Sequence, residues 1–150
     1  MVAIQSKSLK TVRSSYLFQS IANNVGDYIA AMQTEREASL AFLANNATKA
    51  NPALKEAYLN AVDSSLAHFK TMNNKAIRGQ GITTTDRNFG TILASMQSIE
   101  ATLPTYRSFV IDTTIDTASI MRYYNGYLAV IVDFLTRYGG YFMIFIVQVR

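Results

Sequence analysis

Apolar residues recur every three or four positions along most of the chain, which is the spacing of one face of an α-helix. The first of these stripes predicts a helix over about residues 20–47. One position within it is charged, since Arg36 stands four residues after Met32 and four before Leu40. A buried guanidinium is costly unless an anion or several hydrogen-bond acceptors meet it. We therefore expect Arg36 to meet a partner, supplied either by the chain or by a ligand.

Three further stripes predict three more helices. The second begins at Asn51-Pro52, because asparagine caps helices well and proline is favoured at the first helical position, and it ends near residue 76. The third begins near residue 85 and contains Pro104, where the missing N–H donor predicts a kink or a break. The fourth follows a turn at 113–117 and is expected to stop at Gly139-Gly140.

Four amphipathic helices with short connections predict an all-α fold, an antiparallel up-down four-helix bundle. Breaks are expected near 48–51, 77–85 and 112–117. We divide the chain into a lead-in segment at 1–18, a bundle at 19–140 and an apolar tail at 141–150. The tail, YFMIFIVQVR, suits a strand as well as a helix, and it is a candidate contact surface for a partner.

The composition fits one folded domain rather than a disordered chain. Of 150 residues, 49% are hydrophobic and 16% are charged. The absence of cysteine excludes disulfides and thiolate metal sites. The net charge is +4, but the basic residues are spread out, so we expect no nucleic-acid partner. No signal peptide is visible, and no stretch reaches the about 18 apolar residues of a membrane span.

Signals for catalysis are weak. The single histidine, His68, lies in the middle of the second predicted helix, with no paired carboxylates beside it. The sequence contains no P-loop, no glycine-rich dinucleotide turn and no metal-binding pair of histidines. We therefore expect neither an enzyme nor a bound cofactor or metal.

The arginines leave three interpretations open. In the first, Arg36 pairs internally with Glu100, Asp63 or Asp133, and the chain is a structural or oligomerising bundle. In the second, Arg36 and Arg107 both point inward and form an anion site, because a planar guanidinium matches the oxygens of an oxyanion. Tyrosine hydroxyls at 123, 124 and 127 would add donors to that site. In the third, the bundle senses an organic ligand, which would need a larger apolar pocket.

Four segments, in order, resemble the first helical half of the nitrate- and nitrite-sensing (NIT) domain family. The MQTER segment at 32–36, with Ser39 and Phe42-Leu43, resembles the family's L-Q-x-E-R-G-x-S…F-L opening, although Glu37 stands in place of its glycine. Asp63 looks like its threonine-aspartate position. The LPTYR segment at 103–107 resembles its L-P-x-L-R-x-x-V segment, and YYNG at 123–126 is similar to its closing segment. The resemblance covers about residues 29–135.

The resemblance implies an all-helical sensor module that binds a small inorganic anion, nitrate or nitrite. We expect Arg36, Arg107 and Tyr124 to bind it, and Asp63 and Glu100 to have structural or pairing roles. The module would pass a helix shift to an output signalling domain in a longer parent protein. We also expect a homodimer, because helices of sensor bundles often pair across a two-fold axis. The extracellular or periplasmic side of a membrane receptor is favoured, with the cytoplasm as the alternative.

Overall fold

The computed structural model describes the backbone of residues 2–45, 51–80 and 87–149, and the side chains of residues 19–45, 51–78 and 89–137. Four helices make up this part of the chain: α1 (Val2–Ala44), α2 (Pro52–Gln80), α3 (Arg87–Ile111) and α4 (Thr117–Val149). The described residues contain no β-strand, so the predicted all-α class is confirmed.

The helices pack as an up-down four-helix bundle, which confirms the predicted architecture. Helix α1 lies between α2 and α4 and makes the most extensive contacts with both. Helix α3 packs on α4 and touches α2 and α1 more sparingly. Side chains that α1, α3 and α4 direct inward therefore meet near the centre of the bundle.

The apolar stripes form one contiguous core. Its largest fully buried side chains come from all four helices: Tyr28, Tyr58, Tyr124, Tyr127, Phe89, Phe134, Ile21, Met32, Met72, Leu93, Met96 and Leu103. Burial of a large apolar side chain contributes about 1.5–3 kcal/mol. Four of these twelve are tyrosines, whose hydroxyls need polar partners inside the core.

The turn between α3 and α4 lies where the sequence predicts it. Thr113 takes a φ of 55°, and its N–H and that of Thr114 donate to the carbonyls of Val110 and Phe109 at 3.1 and 2.9 Å. This pair of hydrogen bonds closes the helix as a Schellman motif. Asp116 then caps α4, because its Oδ1 accepts the N–H of Ser119 at 2.6 Å.

Two predicted helix ends are wrong. Helix α1 begins at Val2 rather than near residue 20, and α4 continues through Gly139-Gly140 to Val149, so the tail backbone is helical. At Pro104 the structure shows no break, since α3 is one helix from Arg87 to Ile111 and Pro104 itself is exposed. The predicted breaks at 48–51 and 77–85 fall largely on residues 46–50 and 81–86, outside the described residues.

Over the residues described, none of the helices has a segment both long and apolar enough to cross a membrane. The expected contact surface on the tail concerns side chains at 138–150, which lie outside the described residues.

Replacement of Gly126 by alanine should stabilise the bundle. Gly126 lies inside α4 on an exposed surface, and an added Cβ would meet nothing within 4 Å. Alanine loses less backbone entropy on folding, so urea unfolding should show a gain of about 0.5–1 kcal/mol. The reverse change at exposed Ala129 should lose a similar amount. A destabilised Gly126→Ala variant would show that α4 is not a regular helix at this position.

Candidate functional site

The charged residue that α1 buries is Glu35, not Arg36. Glu35 is 0% exposed, and it shares one face of α1 with the buried residues Met32 and Ser39. Arg36 is the next residue along the helix, so it points about 100° away and is half-buried. The predicted inward orientation of Arg36 is therefore wrong.

Glu35 holds Arg107 of α3 in a two-pronged ion pair. The Nη2 atom of Arg107 donates to Oε1 of Glu35 at 2.8 Å, and Nε donates to Oε2 at 3.2 Å. Arg107 is only 6% exposed. Burial disfavours the charged guanidinium, but the hydrogen bonds to Glu35 and its negative charge outweigh this and raise the pKa of Arg107 above its usual value. The guanidinium therefore stays charged, and both side chains are shielded from water.

Two tyrosines complete the surroundings of the Glu35 carboxylate. Tyr124 of α4 donates its hydroxyl hydrogen to Oε2 of Glu35, and the hydroxyl oxygen of Tyr58 lies 3.4 Å from that of Tyr124. Burial and the charge of Glu35 raise the pKa of Tyr124, while burial above all raises that of Tyr58 to about 12. Both hydroxyls therefore stay protonated at neutral pH. Residues from α3 and α4 thus supply three donors to one carboxylate.

A second buried carboxylate, Glu100 of α3, has no cation bonded to it within the described part of the chain. The Oε2 atom of Glu100 accepts the hydroxyls of Tyr28 at 2.5 Å and Tyr127 at 3.1 Å. Its Oε1 atom is buried and has no hydrogen-bond partner among the described residues. Burial raises the pKa of Glu100, and the tyrosine hydrogen bonds and the charge of Arg107 only partly oppose this. Glu100 therefore holds its proton to a higher pH than an exposed carboxylic acid.

Arg36 follows Glu35 on α1 and so lies beside the Glu35 cluster, by which we mean Glu35, Arg107, Tyr124, Tyr58 and Glu100. Its Nη1 atom donates to Oδ1 of Asn125 on α4 at 2.8 Å, so Arg36–Asn125 and Glu35–Tyr124 are consecutive contacts between the same two helices. Among the described residues the ion pairs are Glu35–Arg107 and Asp133–Arg137. Arg36 thus has a neutral partner there and no carboxylate.

None of the acidic residues predicted to pair with Arg36 forms an ion pair with it among the described residues. Glu100 binds tyrosines, Asp133 binds Arg137, and Asp63 is exposed on α2. The predicted internal pairing of Arg36 is therefore not found among the described residues. Arg107 and Tyr124 both donate to Glu35, and their predicted role in binding an anion stays a prediction. No group of carboxylates and histidines suited to a metal ion occurs in the described part of the chain.

The sequence carried a signal for Glu35 that the prediction missed. Steps of three and four residues also connect Tyr28, Met32, Glu35, Ser39 and Leu43, all of which are buried. The alternative phase through Arg36 and Leu40 fits the same spacing rule. The tyrosines at 28 and 58 carried no separate signal, because packed tyrosines and hydrogen-bonded tyrosines have the same spacing.

Comparison with protein families gives a match to the model described as nitrate and nitrite sensing (NIT), over residues 27–139. The chain belongs to the NIT family. The matched region contains both buried carboxylates and all of their hydrogen-bond partners. Searches of curated proteins and of solved structures gave no match. This NIT domain is therefore a nitrate- and nitrite-sensing module of the kind used in signalling, as the sequence resemblance predicts.

Removal of Arg107 should destabilise the NIT domain strongly. Arg107→Leu leaves the Glu35 carboxylate buried without a cation, and loss of one partner of a buried pair costs about 3–5 kcal/mol. Adding Glu35→Gln should recover much of this loss, because the amide oxygen still accepts the Tyr124 hydroxyl. Urea unfolding of the four proteins in this cycle measures both effects. A loss below about 1 kcal/mol for Arg107→Leu, as for an exposed pair, would contradict the burial of Glu35.

The raised pKa of Glu100 should make the NIT domain less stable as pH rises. A carboxyl whose pKa is higher in the folded state contributes stability below its unfolded value, ordinarily 4.5, and loses it as pH rises through the folded value. The stability of wild type relative to Glu100→Gln should therefore fall as pH rises from that value. Urea unfolding at several pH values measures this difference, with exposed Glu37→Gln as control. A pH-independent difference would show that Glu100 titrates normally.

Proposed function

We propose that the domain senses nitrate or nitrite by binding it at Arg107 and Tyr124, with Arg36 adding positive charge from the neighbouring position. The observation that carries this proposal is the set of hydrogen bonds that the Glu35 carboxylate accepts. Its planar carboxylate accepts hydrogen bonds from two N–H groups of one guanidinium and from one hydroxyl. Nitrate and nitrite offer a similar planar edge of two oxygens, so the same donors suit them.

Arg36 supports the proposal through charge. Its guanidinium is half-buried, only its Nη1 is held by Asn125, and no described carboxylate neutralises it. It lies one residue from Glu35, so its positive charge favours the approach of an anion to this end of the cluster. Asp63, exposed on α2, has no part in the proposed site.

Three helices share the proposed site, which supports a role in signalling. Helix α1 contributes Glu35 and Arg36, α3 contributes Arg107, and α4 contributes Tyr124. An anion that changes these contacts changes the packing of α1 against α4. We propose that this shift passes to an output domain of a longer parent protein, that the sensor acts as a homodimer, and that it faces the extracellular or periplasmic side.

The Glu35–Arg107 pair also favours a second candidate, a purely structural bundle. In that case the buried pair only fixes the packing of α1 against α3, and Arg107 is not available to a ligand. The two candidates differ in whether anions bind the folded domain.

Nitrate should raise the melting temperature of the wild-type domain, and Arg36→Ala should abolish that rise. A ligand that binds only the folded form stabilises it by about 2.7 kcal/mol at a hundred times its dissociation constant. Arg36→Lys keeps the positive charge through which Arg36 acts, so it should retain part of the rise. Differential scanning fluorimetry in sodium nitrate, with sodium chloride at equal ionic strength, measures the shift.

The control for this experiment is Arg122→Ala, which removes an exposed arginine of α4 and should keep the nitrate response. If nitrate never shifts the melting temperature of wild type, the structural bundle replaces the sensor. An Arg36→Ala variant with an undiminished response would remove Arg36 from the site.

A further inference from the structure

We propose that Glu35 is a built-in competitor of the sensed anion, which must displace the Glu35 carboxylate from Arg107 in order to bind. The inference rests on the proposed function and names the event that couples binding to the helices. Glu35 occupies the donors of the proposed anion site, because Nε and Nη2 of Arg107 and the hydroxyl of Tyr124 all donate to it. The donors that suit an external anion are therefore already in use.

Charge prevents the anion and Glu35 from sharing these donors. Both would carry a negative charge in a site that excludes water, where like charges in contact repel strongly. The cluster also contains Glu100, whose charge interacts with the same guanidinium. One arginine would then face two carboxylates and an added anion. If the anion replaces Glu35, Arg107 still faces one negative partner in its place. If the anion binds in addition to Glu35, the site holds an excess of negative charge.

The Glu35 side chain can turn away from Arg107 toward the side of α1 that carries Arg36. Arg36, the next residue on α1, is half-buried and held only by the neutral amide of Asn125 among the described residues. A Glu35 carboxylate that turns outward moves toward water and toward this positive charge. The turn breaks the Glu35–Tyr124 contact between α1 and α4. Release of Glu35 thus converts anion binding into a changed contact between two long helices.

Removal of the competing charge should tighten anion binding. Glu35→Gln keeps the shape of the side chain but leaves Arg107 with an unmatched positive charge. We expect its dissociation constant for nitrate to fall about 10- to 100-fold below that of wild type, the ratio for one charge-assisted interaction that no longer competes. Isothermal titration calorimetry of both proteins with sodium nitrate measures the ratio. Glu37→Gln, which removes an exposed charge two residues away on α1, should bind nitrate as wild type does.

A second variant tests the exchange without relying on nitrate. Glu35→Ala leaves space beside Arg107 and Tyr124, and sodium formate or acetate would supply the missing carboxylate. Each salt should raise the melting temperature of Glu35→Ala well above the rise that sodium chloride gives at equal ionic strength. Neither carboxylate should stabilise wild type or Glu37→Ala to that extent. If Glu35→Ala or Glu35→Gln is unfolded without anions, nitrate or formate should fold it.

The outcomes separate this inference from the proposed function. If wild type binds nitrate and Glu35→Gln binds it equally or more weakly, Glu35 is not a competitor and the inference is overturned. The same conclusion follows if Glu35→Ala gains nothing from formate or acetate, or if an unfolded variant stays unfolded in every salt. If neither wild type nor Glu35→Gln binds nitrate or nitrite while formate rescues Glu35→Ala, the oxyanion site exists and the proposed ligand is wrong.

Discussion

The relative arrangement of α1, α3 and α4 depends on one buried interaction, the ion pair between Glu35 of α1 and Arg107 of α3. Neither charge could stay in the core without the other, because an unpaired buried charge costs several kcal/mol. The forked geometry fixes the rotation of both helices, and Tyr124 on the same carboxylate brings in α4. An apolar core of this size would hold four helices together without such a pair. The pair instead imposes one arrangement of α1, α3 and α4.

The second buried carboxylate, Glu100, gives the site more carboxyl groups than cations among the described residues. In the described part of the chain, Glu35 and Glu100 share the influence of one arginine, and the hydrogen bonds to Glu100 come from tyrosine hydroxyls. Burial raises the pKa of Glu100, and its Oε1 atom has no hydrogen-bond partner among the described residues. A cluster of this kind has no capacity for an additional anion unless one carboxylate leaves. This constraint connects the fold to sensing, because the carboxylate that holds Arg107 also contacts the α4 helix.

Much of the fold follows from the sequence, and part of the site does. The stripes predicted four helices, and the turn before Asp116 was placed correctly because its capping chemistry is local. Arg107 and Tyr124 could be selected as candidates because each lies on or beside an apolar stripe. The helix end predicted at Gly139-Gly140 is wrong, and α3 has no break at Pro104. At both places the local preference of glycine or proline gives way to packing or to a long helix. Glu35 was missed because two phases of α1 satisfy the same spacing, and only contacts with other helices choose between them.

The central claim is that the donors now holding Glu35 form the anion site. A crystal structure of the protein grown in sodium nitrate tests it most directly. The account predicts a planar anion in hydrogen-bonding contact with Nε and Nη2 of Arg107 and with the hydroxyl of Tyr124, and a Glu35 carboxylate turned away from Arg107. A structure with nitrate bound elsewhere, and with Glu35 still paired to Arg107, would contradict it.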